Sequence, residues 1–228
     1  TARPCPSPAA VAAAAGPAGT AEVPTELEAV AAEAAGCTRC RLHQSRTQVV
    51  FGQGDPHADL MFVGEAPGFH EDRQGLPFVG PSGQLLNRLL EGIGLRRQDV
   101  YICNVVMSRP PNNRDPQPDE IAACRPWLDA QIRLVDPKVV VTLGNFAAKT
   151  LLETTTGITR LRGQTYPFQG RVLLPTFHPA AALHAQGRRT AGPSPLEGME
   201  EDFRVLAELL AAQAPAAEDH PSEQLGLF

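Results

Sequence analysis

Four short apolar runs constrain this chain more than any other feature. ADLMFVGE (58–65), DVYICNVV (99–106), KVVVTLG (138–144) and RVLLPTF (171–177) have the length and the Val, Leu, Ile and Phe content of buried strands. Between them lie SGQLLNRLLEGIGL (82–95), PDEIAACRPWLDAQIRLVD (118–136) and NFAAKTLLE (145–153), whose apolar residues recur at helical spacing. Strands that are apolar throughout need cover on both faces. Their alternation with helices predicts a three-layer α/β/α fold with a central, mainly parallel four-stranded sheet. In such folds the chemistry gathers in loops at the carboxyl ends of the strands. Two loops fit that place, one after Glu65 and one after Phe177.

A length of 228 residues supports one domain of ordinary size. Residues 1–23 are Ala, Pro, Gly and Thr with almost no large apolar side chain, so a disordered tail is expected there. A helix is predicted over 24–35, entered at Pro24 or Thr25 and stopped by Gly36, and a last one over 201–213. The folded domain should therefore span 24–213, followed by a flexible acidic tail over 214–228. No apolar run approaches the ~20 residues of a membrane span, and no basic start precedes an apolar block. A cytoplasmic monomer without a membrane partner is expected.

The formal net charge of −5 argues against a nucleic-acid partner only as an average. Residues 1–36 hold one Arg against four Glu, and residues 191–228 one Arg against eight acids, so the body between them carries a net charge of +5. A basic body can meet phosphates.

Cys37 and Cys40 form a CxxC after the first helical segment. Without a secretory leader this pair points to metal or redox chemistry, not a disulfide framework. Cys103 alternates into a strand and reads as a small buried hydrophobe. Cys124, on a helix beside Arg125 and Trp127, either faces the core or adds a third thiolate to the CxxC site.

The segment GEAPGFHEDRQGLPFVGPSGQLL (64–86) carries the most chemistry. A strand ends at Gly64, and Glu65, Glu71 and Asp72 cluster in the glycine-rich turn beyond it. Phe78 then offers a flat stacking face before a helix opened by Pro81. In TFHPAAAL (176–183), His178 leaves the carboxyl end of a buried strand and is followed by Pro179.

Together, GEAPGxxED, GxPFVGxxGxLL, NVVMSRPPNNR (104–114) and HPAA resemble the family 4 uracil-DNA glycosylases, the iron–sulfur type within the uracil-DNA glycosylase superfamily. The likeness runs from about Cys37 to about Leu210. It implies excision of uracil from single- or double-stranded DNA by hydrolysis of the N-glycosidic bond, in base excision repair near a bacterial nucleoid. The base is extruded into a pocket. By the same resemblance Phe78 stacks on uracil, Asn104 reads its edge, His178 donates to O2, and the Glu65-Ala66-Pro67 turn supplies backbone contacts. Glu71 with Asn112 would hold the attacking water, with Glu65 and Asp72 as second choices. Neither Lys138 nor Lys149 lies in a motif, which favours a glycosylase without lyase activity.

The resemblance also implies a 4Fe–4S cluster on four cysteines. Cys37, Cys40 and Cys124 match three of them. The fourth position holds Ser108, which leaves ligation by its oxygen, substitution by Cys103, or a labile cluster. A related branch that crosslinks to DNA carries a GEQPG loop and a basic insertion. Ala66 and the uninterrupted PPNNRDPQP disfavour that reading, and a non-catalytic uracil-DNA sensor is the remaining alternative. Leu183, with Arg188 and Arg189 nearby, is the expected wedge into the duplex. Finally, Gln224-Leu225-Gly226-Leu227-Phe228 resembles the QL-x-LF peptides that dock on the DNA polymerase sliding clamp, Gln224, Leu225, Leu227 and Phe228 being the docking residues.

Overall fold

The computed structural model describes residues 25–185 and 193–213. In chain order the elements are α1 (Glu26–Ala35), β1 (Gly52–Gly54), β2 (Leu60–Gly64), α2 (Phe69–Gln74), α3 (Pro81–Gly92), β3 (Tyr101–Asn104) and α4 (Pro118–Val135). They continue with β4 (Val139–Leu143), α5 (Asn145–Leu152), α6 (Ile158–Leu161), β5 (Tyr166–Phe168), β6 (Arg171–Thr176), α7 (Pro179–Ala185) and α8 (Pro195–Gln213).

The sheet has the order β1-β3-β2-β4-β6-β5. Its four inner strands pair in parallel, and β1 and β5 close the two edges antiparallel. The parallel core is the one expected; the sheet has six strands, not four. The edge strands GQG and YPF are three residues long and carry Gly or Pro, so they leave no apolar run to detect.

Each inner strand sends alternate side chains to opposite layers. Met61, Val63, Cys103 and Val140 pack with α4 and α5 and with Ala34 of α1. Leu60, Phe62, Ile102, Val139 and Val141 pack with α3, α7 and α8. Phe62 and Phe203 stack across that second layer with ring centroids 5.9 Å apart.

Local chemistry sets the helix ends. Thr25 and Glu28 form a reciprocal capping box that starts α1. Pro81 and Pro118 occupy the first turns of α3 and α4, where their missing N–H groups are no loss. Helix α8 begins at Pro195, six residues before the predicted start, because Gly198 and Met199 are buried against the body. No helix among the described residues is long and apolar enough to cross a membrane.

Candidate active site

The carboxyl ends of β2, β3 and β6 converge on a cavity of about 530 Å³. That is an ordinary size for a small-molecule pocket. Glu65, Ala66 and Pro67 line it from the β2 end, Asn104 from the β3 end and His178 from the β6 end. The loops after β2 and β3 are laced together: the N–H of Val105 donates to Gly64 O (2.9 Å) and that of Val106 to Glu65 O (3.1 Å).

Asn104 and Phe78 form the buried wall. Asn104 is 1% exposed, yet its Oδ1 has no hydrogen-bond partner. Such an orphan costs on the order of 1–3 kcal/mol unless a ligand donor meets it. A Cβ at Gly64 would stand 2.4 Å from that oxygen and 2.6 Å from the Phe78 ring. Only glycine lets strand, amide and ring approach this closely.

Phe78 adopts φ +51°, an unusual conformation for a bulky side chain. Three contacts hold it there. Arg97 donates to Phe78 O at 3.0 Å and also to Pro77 O. Gly83, the third residue of α3, lies so close that a Cβ would fall 1.7 Å from Phe78 O. The ring thus faces the pocket in a position fixed before any ligand arrives; its centroid is 5.7 Å from that of His178, at a tilt of 34°.

His178 shows which nitrogen carries its proton. Nδ1 faces the Ala180 N–H at 3.1 Å and must accept from it, so Nε2 holds the hydrogen. Burial pushes the ring down to about 4, outweighing the nearby charge of Glu71, so the imidazole is neutral at pH 7. Gly144, at φ +90°, makes room for it; a Cβ there would sit 2.9 Å from that of His178.

Glu71 is oriented from one side. Its Oε1 accepts the N–H groups of Val79 (3.0 Å) and Gly80 (2.9 Å), at the start of α3. Its Oε2 lies over Gly68, where a Cβ would meet it at 2.8 Å. The next residue, Asp72, does structural work: it is buried and accepts Thr47 N–H (2.9 Å) and Oγ1–H (2.6 Å), tying α2 to the segment before β1. Burial, helped by the charge of Asp115, raises the Glu65 carboxyl to about 7.

Cys37, Cys40 and Cys124 lie where the segment after α1 meets α4. Cys37 Sγ accepts from Trp127 Nε1 at 3.3 Å, and Cys124 Sγ from the Met107 N–H at 3.3 Å. Cys40 is close enough for its charge to act on Cys124, as does that of Cys37, while burial pushes the Cys124 thiol up to about 11. Ser108 joins the group through Arg46, which donates to Ser108 Oγ (3.1 Å) and to Cys37 O (2.6 Å). Cys103 stays in the β3 ladder opposite Val63, fully buried. Among the described residues no three His, Cys, Asp or Glu side chains converge as ligands of a single metal ion. N–H donors on two of the sulfurs and a guanidinium beside them suit an anionic iron–sulfur group, so the residues fit it.

The family model of the uracil DNA glycosylase superfamily matches residues 51–204, spanning every pocket element described above. The chain belongs to the uracil-DNA glycosylase superfamily. It is 45% identical over 192 residues to a type-4 uracil-DNA glycosylase of Sulfurisphaera tokodaii, covering 80% of this chain and 84% of that protein. To the type-4 enzyme of Archaeoglobus fulgidus it is 41% identical over 203 residues, covering 85% and 98%. To that of Thermotoga maritima it is 47% identical over 159 residues, covering 69% and 83%.

In this member of the superfamily the structure brings together Glu65, Ala66, Pro67, Glu71, Phe78, Asn104 and His178 around one cavity. It does not bring Asn112 there. Asn112 is exposed in a tight turn at φ +55°, and the lining residue of that turn is Asn113. Two adjacent asparagines cannot be told apart by spacing when the turn decides which one faces inward. Leu183 is half-buried against α3 and α8, while Arg188 and Arg189 lie outside the described residues, as do Gln224, Leu225, Leu227 and Phe228. Sequence reasoning misses Arg97, which clasps the Phe78 backbone from nineteen residues away, and Arg114, which lines the pocket and pairs bidentately with buried Glu120 (2.6 and 2.8 Å). No local pattern marks Arg97. Gly64, at a strand's last position, carried a visible signal in its residue type.

Proposed function

We propose that the chain is a uracil-DNA glycosylase that hydrolyses the bond between uracil and deoxyribose in DNA and leaves an abasic site for base excision repair. One observation carries the reading: a buried amide oxygen without a partner, Asn104 Oδ1, beside a preset aromatic face. The base is extruded from the strand and slides against Phe78. Asn104 Oδ1 then accepts from N3–H of uracil, and its Nδ2 donates to O4. Cytosine presents an acceptor at N3 and a donor at N4, so both contacts would turn repulsive.

As the glycosidic bond breaks, its electron pair stays with the base and negative charge grows on O2. His178 donates Nε2–H to that oxygen. Because the ring is neutral, it offers a fixed dipole without forfeiting a proton to bulk water. Glu71, held through Oε1, uses Oε2 to orient a water for attack on the sugar and accepts its proton. Asn113, at the rim, takes the second position on this water that the sequence reading gave to Asn112. No protein nucleophile is required.

Cys37, Cys40 and Cys124 would hold a 4Fe–4S cluster, with Ser108 in the fourth position; the burial of Cys103 in the β3 ladder favours Ser108 over it. When bound, the cluster supplies a cross-link between the segment after α1 and α4. With only three thiolates, iron is held less firmly than by four. Ser108→Cys should slow iron loss to a chelator, while Cys124→Ala should lower both iron and sulfide content. Purified protein containing neither element would overturn the cofactor reading.

We read the enzyme as a monomer acting at the bacterial nucleoid in the cytoplasm, with residues 224–228 as a docking peptide for the sliding clamp. A peptide of residues 218–228 should bind the clamp, and Leu227→Ala with Phe228→Ala should abolish that binding. No binding at high micromolar concentration would remove this partner.

The activity itself is tested on single- and double-stranded oligonucleotides carrying one uracil. The wild type should release uracil and leave a site cleaved by alkali, and Asn104→Ala should reduce release about 10²-fold. Tight binding without strand scission would make the chain a damage sensor. A protein–DNA adduct would make it a crosslinker.

A further inference from the structure

Phe69 is not used by the chemistry above, yet it is the most exposed large apolar side chain among the described residues, at 47%. It opens α2 and lines the mouth of the pocket. The Arg73 guanidinium, one turn along α2, lies 5.6 Å from the ring centroid, and that of Arg109, from the loop after β3, lies 5.2 Å away. His70 meets the ring edge-on at 5.5 Å. Arg109 is aimed by Asn113, whose Oδ1 accepts from Nε at 2.7 Å, which leaves its terminal N–H groups free to bond elsewhere. Among the described residues neither Arg73 nor Arg109 pairs with a carboxylate.

A half-exposed apolar ring with two carboxylate-free guanidiniums over it combines a stacking surface with donors for phosphate. Its place at the pocket mouth selects the occupant. We infer that Phe69, Arg73 and Arg109 form a second base-stacking platform, which receives the base adjacent to the extruded uracil while the two arginines hold that nucleotide's flanking phosphates. The inference rests on the glycosylase reading for the direction in which the strand enters. Extrusion breaks the stack on both sides of the target, and a platform at the rim restores part of that loss for one neighbour. Phe69 is thus a substrate-positioning residue, separate from Phe78, which stacks on the target base itself.

The test compares single-stranded oligonucleotides with one hydrolysis-resistant fluorinated deoxyuridine, flanked by normal nucleotides or by an abasic residue on the 5′ or the 3′ side. Wild-type protein should bind roughly tenfold more weakly when the base is missing on one particular side. Phe69→Ala should bind all three oligonucleotides alike, and Phe69→Trp should restore the discrimination. Arg73→Ala and Arg109→Ala should each make the logarithmic salt slope shallower by about 0.7 without removing the preference for a flanking base. A merely structural Phe69 would weaken binding to all three equally. Indifference of the wild type to both neighbours, or discrimination retained in Phe69→Ala, overturns the inference. Uracil release from an ordinary substrate is measured in parallel, and its absence would overturn the glycosylase reading instead.

Discussion

Two groups of polar side chains are buried near the carboxyl ends of the parallel strands, and they are built on opposite terms. At one, Asp202 of α8 is fully buried and accepts from Thr176 Oγ1 (2.5 Å) and from Arg162 Nε (3.1 Å) and Nη2 (2.8 Å). Arg162 also donates to Gly198 O (2.6 Å) and lies over the Phe177 ring. There the buried carboxylate, which burial raises as it does that of Glu65, is met by a hydroxyl and a guanidinium, and Arg162 also pairs with Glu201 at 3.0 Å. At the other, two residues beyond Thr176, His178 is held far below its usual range, Glu65 is raised, and Asn104 Oδ1 has no partner. The first group locks α8 to the sheet. The second leaves a buried acceptor unpaired and two titratable groups shifted by burial.

Substitution should separate the two. The largest effect belongs to the pocket: His178→Ala and Glu71→Gln should each lower the single-turnover rate of uracil release by about 10²–10³-fold. Thermal unfolding should move by only a few degrees, since neither change leaves an unpaired buried charge. Asp202→Ala should do the reverse. It leaves Thr176 without its acceptor and Arg162 with only the exposed Glu201 (3.0 Å) and Gly198 O, and should cost about 3 kcal/mol, or about 6–12 °C in melting temperature for a domain of this size. Its rate per folded molecule should stay within a few-fold of wild type. Calorimetry alongside rapid-quench kinetics reads both quantities. A rate loss in Asp202→Ala as large as that in His178→Ala would mean that the two groups are one unit.

The locked parts and the open parts were not equally legible. Inner strands such as VVVTL at 139–143 announce themselves by apolar content, because parallel strands are covered on both faces. Cys37, Cys40, Glu71, Phe78, Asn104 and His178 stand out because each lies in a short motif near a strand end or beside a helix. What stayed hidden depends on turns and on long-range approach. The left-handed turn at Asn112 and Asn113 decides which amide lines the pocket. The Arg97 clasp and the Asp202 lock join residues about twenty and forty positions apart, so no local pattern encodes them. Edge strands of three residues carry too little side chain to be seen at all.

The finest distinction between the groups is in pH. Glu65 stands at about 7, raised from 4.5 by burial and by Asp115, while His178 at about 4 stays neutral from pH 5 upward. Between pH 6 and pH 8, then, Glu65 changes charge inside the pocket. Its ionisation adds a negative charge to a pocket in which the departing base becomes anionic, so uracil release should fall a few-fold as pH rises through about 7. The stability linkage has the same direction. The folded state binds this proton more tightly than the unfolded chain, so the Glu65 contribution is complete below about pH 4.5 and is lost as pH rises to about 7. Glu65→Gln, permanently neutral, should abolish the decline in rate and flatten that part of the stability curve, leaving the rate at pH 6 nearly unchanged. A decline that persists in Glu65→Gln would assign the titration to another group and leave Glu65 as part of the pocket wall.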